Sequence, residues 1–145
     1  MKTIKYLLIF CLTVLSHFGF SQSIEGVWET YNDDTKELKS EVEIYMKDGK
    51  LYGKIVKLHN LKIPYEDAKC YYCTDYRKDQ HVIGMEIITA LEKNKRGDWK
   101  GDDALLDPNN GKLYDATLWL IEDNKLAVRG YVGWFFRTQY WIRKN

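Results

Sequence analysis

Short stretches in which apolar and polar residues alternate make up most of the chain. From Val42 to Met46 every second residue is apolar, and the same alternation resumes at Leu51. A period of two residues is typical of strands that bury one face. Asp48 and Gly49 lie between the two stretches, and this dipeptide tolerates the positive φ angles of a tight hairpin turn. The pattern therefore predicts a β-hairpin here.

The same alternation predicts about eight strands, most of them joined by short turns rich in Gly, Asp and Asn. The longest segment without alternation runs from His59 to Val82, and connections of that length in compact domains are often functional. Evenly spaced short strands without a long helical period indicate an all-β domain, either an up-and-down barrel or a sandwich. The predicted strands cover residues 26–31, a hairpin at 40–58, then 83–91, 98–106, 113–121, 126–132 and 135–143.

The N-terminus has the pattern of a secretory signal peptide. Two lysines precede an apolar run from Tyr6 to Leu15, and small residues stand shortly before Gln22. The apolar run is shorter than the roughly 20 residues that a transmembrane helix needs, and the small residues suit cleavage by a signal peptidase. We therefore predict a signal peptide over residues 1–21, a mature domain over residues 22–145, and a secreted protein that is periplasmic or extracellular.

Charge narrows the classes of partner. Without the two N-terminal lysines, the predicted mature domain carries 20 basic and 21 acidic side chains, a formal charge of −1. This near-neutral balance gives no electrostatic reason to expect nucleic acid or an anionic membrane as partner. No later apolar run is long enough to cross a bilayer as a helix, so no membrane span is predicted in the mature chain.

Two cysteines remain in the mature domain, and both lie in the long loop. A zinc site would need two further ligands, for which His59, His81 and Asp75 are the nearby candidates. A redox motif would need a thiol activated at a helix N-terminus, and the chain lacks the βαβ pattern that supplies one. An even number of cysteines in an oxidising compartment favours a disulfide. We predict a Cys70–Cys73 disulfide that shapes the loop, with no metal and no cofactor; a thiol or metal site on the loop is the alternative.

The sequence contains no pattern that points to catalysis. Both histidines of the mature domain lie in the long loop, and no Ser-His-acid set accompanies them. The stretch "DPNNGK" at residues 107–112 lacks the alternating acids and late glutamate of a calcium loop. Asp followed by Pro is instead typical of a β-turn. A non-catalytic role is therefore favoured.

Several blocks of the chain resemble a family of secreted bacterial proteins catalogued as domain of unknown function 2147. They are the Gly-Val-Trp start, the "DGKLYGKI" hairpin, the "IGM" after the long loop, the "LDPNNGKLY" turn and the "VRGYVG" strand, in the family's order. The Gly26–Trp28 opening and the late Arg143 are also similar to lipocalin-type barrels, in which an arginine covers the tryptophan ring and closes the barrel base. The resemblance implies a single antiparallel up-and-down β-barrel of about eight strands, lipocalin-like, closed by Trp28 and Arg143. It implies no activity, because the family's role is not established.

Aromatic and arginine side chains on the strands supply the candidate ligand contacts. Alternation places Arg129 with Tyr131 on one face of a strand, and Arg137 with Trp141 on one face of the last strand. Large side chains occupy both faces of these strands, so periodicity alone does not decide which face is inward. An inward arginine beside aromatic rings could bind a carboxylate or a phosphate. The alternative, which the usual solvation of surface charges favours, is an arginine on the outside, stacked on a ring and exposed to water. The candidate ligand-binding residues are Trp28, Tyr52, Arg129, Tyr131 and Arg137.

We therefore expect a secreted, non-catalytic binding protein that holds a small apolar or amphipathic ligand in its barrel, with the loop at residues 59–82 as a lid. The alternative is an envelope module whose outer surface binds another protein without a small ligand. A barrel interior filled by side chains would contradict the first hypothesis. An exposed aromatic patch would favour the second.

Overall fold

Eight antiparallel strands close into one barrel in the computed structural model, which describes residues 22–145. Each strand pairs with the next along the chain, and the last pairs with the first. The predicted fold class is confirmed. The predicted signal peptide, residues 1–21, lies outside the described residues. The strands are β1 (Gly26–Tyr31), β2 (Leu38–Lys47), β3 (Lys50–Leu58), β4 (Glu86–Lys93), β5 (Trp99–Asp107), β6 (Lys112–Glu122), β7 (Lys125–Val132) and β8 (Phe135–Arg143).

The start of β4 differs from the sequence-based expectation. The predicted strand began at residue 83, whereas β4 begins at Glu86. Gly84 adopts a φ of 84°, and the Met85 N–H donates to the Val82 carbonyl oxygen at 3.2 Å, so this segment is a turn. Within the long loop that precedes it, a single 3-10 turn covers Tyr65–Asp67. In residues 22–145 no helix is long and apolar enough to cross a bilayer.

Side chains fill one half of the barrel interior. Apart from the two cysteines of the loop, the largest fully buried side chains come from six strands. Gly53 provides the space that one of them needs, since a Cβ there would lie 2.9 Å from Ile88 Cδ1. This close approach is the role that a glycine inside a strand suggests. The buried side chains of this half, which we call the closed half, include Trp28, Ile44, Leu51, Ile88, Leu91, Leu118 and Leu126.

A single guanidinium ties the chain together at the base of the closed half. The Arg143 side chain donates hydrogen bonds to three carbonyl oxygens, those of Ser23 at 2.7 Å, Glu25 at 2.8 Å and Asp123 at 2.7 Å. Its guanidinium carbon lies 4.2 Å from the centre of the Trp28 ring. A planar guanidinium can stack on an indole and donate in-plane hydrogen bonds at once. Arg143 therefore joins the segment just before β1, the β6–β7 turn and the end of β8.

The seam between β1 and β8 is short. Only Trp28–Arg143 and Glu29–Ile142 pair across it. Higher up, towards the other end of the barrel, side chains replace the backbone ladder. The Asp33 carboxylate accepts a hydrogen bond from Gln139 Nε2 at 2.8 Å and forms an ion pair with Arg137. The closed half is therefore pinned by backbone pairing, and the upper half of the seam is joined by side chains alone.

Replacing Arg143 tests how much the closed end depends on this guanidinium. Hydrogen bonds to charged donors contribute about 1.5–3 kcal/mol each when protected from water, and partial exposure lowers that value. We expect Arg143→Ala to lower the free energy of unfolding by about 2–4 kcal/mol in urea titrations at neutral pH. Arg143→Lys should recover less than half of the loss, because an ammonium lacks the planar fork. Full recovery of the free energy of unfolding in Arg143→Lys would show that a positive charge alone stabilises this end of the barrel.

A buried carboxylate ties the C-terminus to the start of the long loop. Glu41 on β2 is 5% exposed. Its Oε2 accepts a hydrogen bond from Lys144 Nζ at 2.6 Å, and its Oε1 lies 2.9 Å from His59 Nε2. The hydrogen bond from Lys144 is the main reason that the pKa of Glu41 falls below its ordinary value of 4.5, with burial acting in the opposite direction.

This lowered pKa predicts a specific dependence of stability on pH. A carboxylate whose pKa is depressed by folding stabilises the native state fully above the unfolded-state pKa, and that contribution disappears as the pH falls through the folded-state value. We expect the stability difference between the wild type and Glu41→Gln to be largest at pH 7 and to shrink below about pH 4.5. Urea unfolding at several pH values measures it. Glu43→Gln, which removes an exposed partner of Lys54, should show a small difference throughout. An equal loss of stability at pH 7 and pH 3 in Glu41→Gln would contradict the lowered pKa of Glu41 in the folded state.

Candidate functional site

A cavity of about 700 Å³ occupies the half of the barrel opposite Arg143. Four connections surround its mouth: residues 32–37, 59–85, 108–111 and 133–134. The long loop contributes many lining residues, in keeping with the functional role expected for a connection of that length. Ligand cavities of proteins are typically about 300–1,000 Å³, so this one has the size of a small-molecule site. The barrel is thus filled at one end and open at the other.

The deep wall of the cavity is apolar. The inward positions of β3, β4, β5, β7 and β8 contribute Ile55, Ile87, Leu106, Val128 and Trp141. Each of these side chains is almost fully buried and belongs to the hydrophobic core. Apolar surface of this kind favours the hydrocarbon part of a ligand, because its transfer from water is favourable by about 25 cal/mol per Å².

Basic side chains outnumber acidic ones in the lining of the cavity. Of the lysine, arginine, aspartate and glutamate side chains that line it, four are basic and one, Asp107, is acidic. The basic residues come from the start of β2, from the long loop and from β8, so they surround the opening and do not cluster on one strand. A mouth of this charge favours an anionic group on the ligand. The four basic lining residues are Lys39, Lys62, Lys69 and Arg137.

Polar side chains on β1 and β2 that line the cavity already have partners. Thr30 Oγ1 and Ser40 Oγ are buried and lie 2.7 Å apart. Tyr31 donates from its hydroxyl to Glu29 Oε2 at 2.8 Å, and this hydrogen bond is the main cause of a raised pKa for Tyr31. Within residues 22–145, no buried side-chain nitrogen or oxygen lacks a hydrogen-bond partner. The basic side chains at the mouth are therefore the groups with the most capacity to bind a ligand's polar head.

A disulfide shapes the long loop beside the mouth. Cys70 and Cys73 are bonded, as predicted, and both are buried. The turn at residues 107–112 packs directly against this ring: at Gly111, which has a φ of 69°, a Cβ would lie 2.0 Å from the Tyr72 carbonyl oxygen. Only glycine satisfies both the backbone angle and this close approach. The disulfide ring and the β5–β6 turn therefore form one wall of the mouth.

Of the loop residues considered as metal ligands, His59 and Asp75 have side-chain partners, whereas His81 is paired only through its backbone. His59 contacts Glu41, and Asp75 accepts hydrogen bonds from Arg77, which lower the pKa of its carboxyl group. Arg77 is itself buried and donates to the Glu86 carbonyl oxygen at 2.9 Å, so it anchors the loop to β4. His81 pairs with Lys69 in an isolated β-bridge. Among the residues that the structure describes, no three His, Cys, Asp or Glu side chains come together as a metal site.

Of the five candidate ligand-binding residues, Arg137 lines the cavity. Trp28 is fully buried beneath Arg143 in the closed half. Tyr52 stacks on Tyr45 on the outer wall, with ring centres 5.9 Å apart. Tyr52 lies outside the cavity lining, because Leu51 and Gly53 occupy the inward positions of β3.

Arg129 and Tyr131 also lie on the outer wall, outside the lining of the cavity. Arg129 Nε donates to Thr138 Oγ1 at 2.8 Å, and its guanidinium lies 5.0 Å from the centre of the Trp119 ring. The Tyr131 hydroxyl lies 3.3 Å from Thr117 Oγ1. The inward positions of β7 belong instead to the small or aliphatic residues that alternate with these two.

The three lysines at the mouth were not predicted as ligand contacts. They lie at the start of β2 and in the irregular loop, where no alternation identifies an inward face. Gln139 and Trp141 share the inward face of β8 with Arg137, as the alternation in that strand indicates. The signal for these two was therefore present once Arg137 was placed inside.

Comparisons with known proteins agree with this architecture. A comparison with curated proteins gave no significant match. Among solved structures, the chain is similar to protein HP1028 from the human pathogen Helicobacter pylori, which belongs to the lipocalin family. The two share 18% sequence identity with a TM-score of 0.69, over 85% of this chain and 84% of that one, and at this identity the likeness concerns the fold. The family model for uncharacterized proteins conserved in bacteria (DUF2147) matches residues 26–143. The chain therefore belongs to the DUF2147 family, with a lipocalin-like barrel.

Proposed function

We propose that this protein binds a small amphipathic molecule, with an apolar tail and an anionic head, in the open half of its barrel. The observation that carries the proposal is the division of the cavity lining: aliphatic and indole side chains lie deep, and four basic side chains surround the mouth. An apolar tail against the deep wall would lose its contact with water. The head would remain at the opening, where charge-assisted hydrogen bonds are available.

Arg137 is the side chain best placed to recognise the head. Its guanidinium forms an ion pair with Asp33, which also accepts a hydrogen bond from Gln139. An incoming carboxylate or phosphate would compete with Asp33 for this guanidinium. The proposed exchange leaves the strand pairing unchanged, because Asp33 lies in the β1–β2 connection and not in a strand. Asp33 would still accept the hydrogen bond from Gln139 that helps to join the upper seam.

The two alternatives from the sequence receive different support. A thiol or metal site on the loop lacks support, because the two cysteines are buried in a disulfide and His59 and Asp75 have other side-chain partners. A module that binds through its outer surface gains support from an exposed aromatic patch at the β7–β8 turn. A filled barrel interior would have favoured such a module over ligand binding, but the open half of the barrel contains a cavity.

The proposed setting is the periplasm or the extracellular space. The N-terminal pattern of basic, apolar and small residues supports export. The disulfide supports an oxidising compartment.

A fluorescent fatty acid tests both parts of the proposal. We expect cis-parinaric acid to bind with a stoichiometry of one and to bind more tightly than its methyl ester, which has the same tail without the charge. Gly130→Phe should abolish binding by filling the cavity: Gly130 lines it, and a Cβ there would meet nothing closer than Leu105 Cδ2 at 3.5 Å. Gly130→Ala is the matched control and should bind like the wild type. Undiminished binding by Gly130→Phe would place the ligand outside the cavity.

Two arginine variants separate the mouth from the outer wall. Arg137→Gln should weaken binding of the acid several-fold, about 1 kcal/mol, because this guanidinium is partly in water, and should leave the ester unchanged. Arg129→Gln, on the outer wall of the neighbouring strand, should leave both affinities unchanged. A larger effect of Arg129→Gln on the acid would contradict the proposed head site.

A further inference from the structure

The turn between β7 and β8 exposes apolar side chains to an unusual degree. Trp134 is 98% exposed and Phe135 80% exposed, while Val132 on the other side of Gly133 is 60% exposed. Gly133 has a φ of 56°, which a two-residue hairpin turn requires and glycine adopts easily. Nothing in residues 22–145 covers this tip, which projects a tryptophan and a phenylalanine into water at an energetic cost.

The long loop presents apolar side chains at the same end of the barrel. Leu61, Ile63, Tyr71 and Tyr72 are between 39% and 69% exposed, and all four line the cavity mouth. Val132 lines it as well. The β7–β8 tip and these loop residues therefore form one apolar rim around the opening of the cavity, which we call the mouth rim. Several large exposed apolar side chains gathered at one end of a domain mark an interaction site.

The exposure and charge of the mouth rim favour a lipid surface as its occupant. The Trp134 indole stands almost free of the rest of the chain, and such a side chain suits insertion into a deformable medium. Tryptophan and tyrosine favour the interface between headgroups and hydrocarbon. The basic side chains of the mouth are complementary to the phosphate oxygens that headgroups present. The rim is also continuous with a cavity whose lining suits a molecule of the amphipathic class that bilayers contain.

We infer that the mouth rim docks on a lipid bilayer, so that an amphipathic ligand passes between the bilayer and the cavity without crossing water. The docking is a new property, and only its purpose rests on the proposed function. Insertion is driven by apolar contact and not by net charge, because the four connections at this end carry five basic and seven acidic side chains. Binding to zwitterionic lipid is therefore expected, with no gain from anionic lipid.

Vesicle sedimentation tests the docking directly. The protein should bind sucrose-loaded phosphatidylcholine vesicles, and tryptophan emission should shift to shorter wavelength as Trp134 leaves water. Trp134→Ser/Phe135→Ser should lower the partition coefficient at least about tenfold, because it removes two large apolar side chains. Met46→Ser/Ile121→Ser removes two exposed apolar side chains near the closed end and should partition like the wild type. Addition of phosphatidylglycerol or of salt should change little.

Three results would overturn the inference. The first is no binding to phosphatidylcholine vesicles. The second is binding that appears only with phosphatidylglycerol and disappears with salt, which would indicate adsorption by charge. The third is self-association of the wild type in sedimentation velocity that is lost in Trp134→Ser/Phe135→Ser, while this variant binds vesicles as well as the wild type does. This result would assign the tip to contact with a second copy of the chain.

The cavity variant keeps the docking separate from the proposed function. Gly130→Phe should still bind vesicles while it fails to bind cis-parinaric acid. If the wild type binds vesicles but never the acid, the proposed function fails and the docking stands. If the wild type binds the acid but no vesicles, the docking fails and the proposed function stands.

Discussion

The arginine that closes the barrel base is the interaction on which the rest of the structure depends. Two residue pairs join β1 to β8, whereas eight join β7 to β8. The stacked Arg143, with three carbonyl acceptors, strengthens the weakest seam at the end where the core is densest. With the base fixed in this way, the other end of the seam is held by side chains around Asp33 and can border an open cavity.

The open half requires a different kind of stabilisation, because no core fills it. The disulfide ring, the anchor of Arg77 on the Glu86 carbonyl and the glycine that lets the β5–β6 turn approach Tyr72 hold the long loop in place. Closing a small disulfide ring removes little conformational entropy from the unfolded chain, so its stabilisation of the fold lies at the low end of the ~0–5 kcal/mol range. It shapes the mouth more than it stabilises the barrel. The result is a rim of apolar and basic side chains around an apolar cavity.

Much of the fold could be predicted from the sequence, because its strands follow local rules. Asp48-Gly49 marks a hairpin, and the bounds of β1 and β8 agree with the alternation. The inward face of the strands was harder to predict. Arg129 and Arg137 have similar aromatic neighbours in the sequence, yet one lies on the outer wall and the other at the mouth. Barrel closure decides this, and closure is a long-range property that no single strand encodes. The position of the lysines at the mouth could not be predicted either, because it depends on where the long loop lies in the folded chain.

Methyl NMR with hexadecanoate tests the central claim, that the open half of the barrel holds an amphipathic anion, most directly. Titration of methyl-labelled protein should shift the signals of Ile55, Ile87 and Val128, which line the cavity, and leave Leu118 and Leu126 in the closed half unchanged. Shifts that saturate at one molecule per chain and are confined to the first group would support the account. No shifts, or shifts confined to methyl groups outside the cavity, would contradict it.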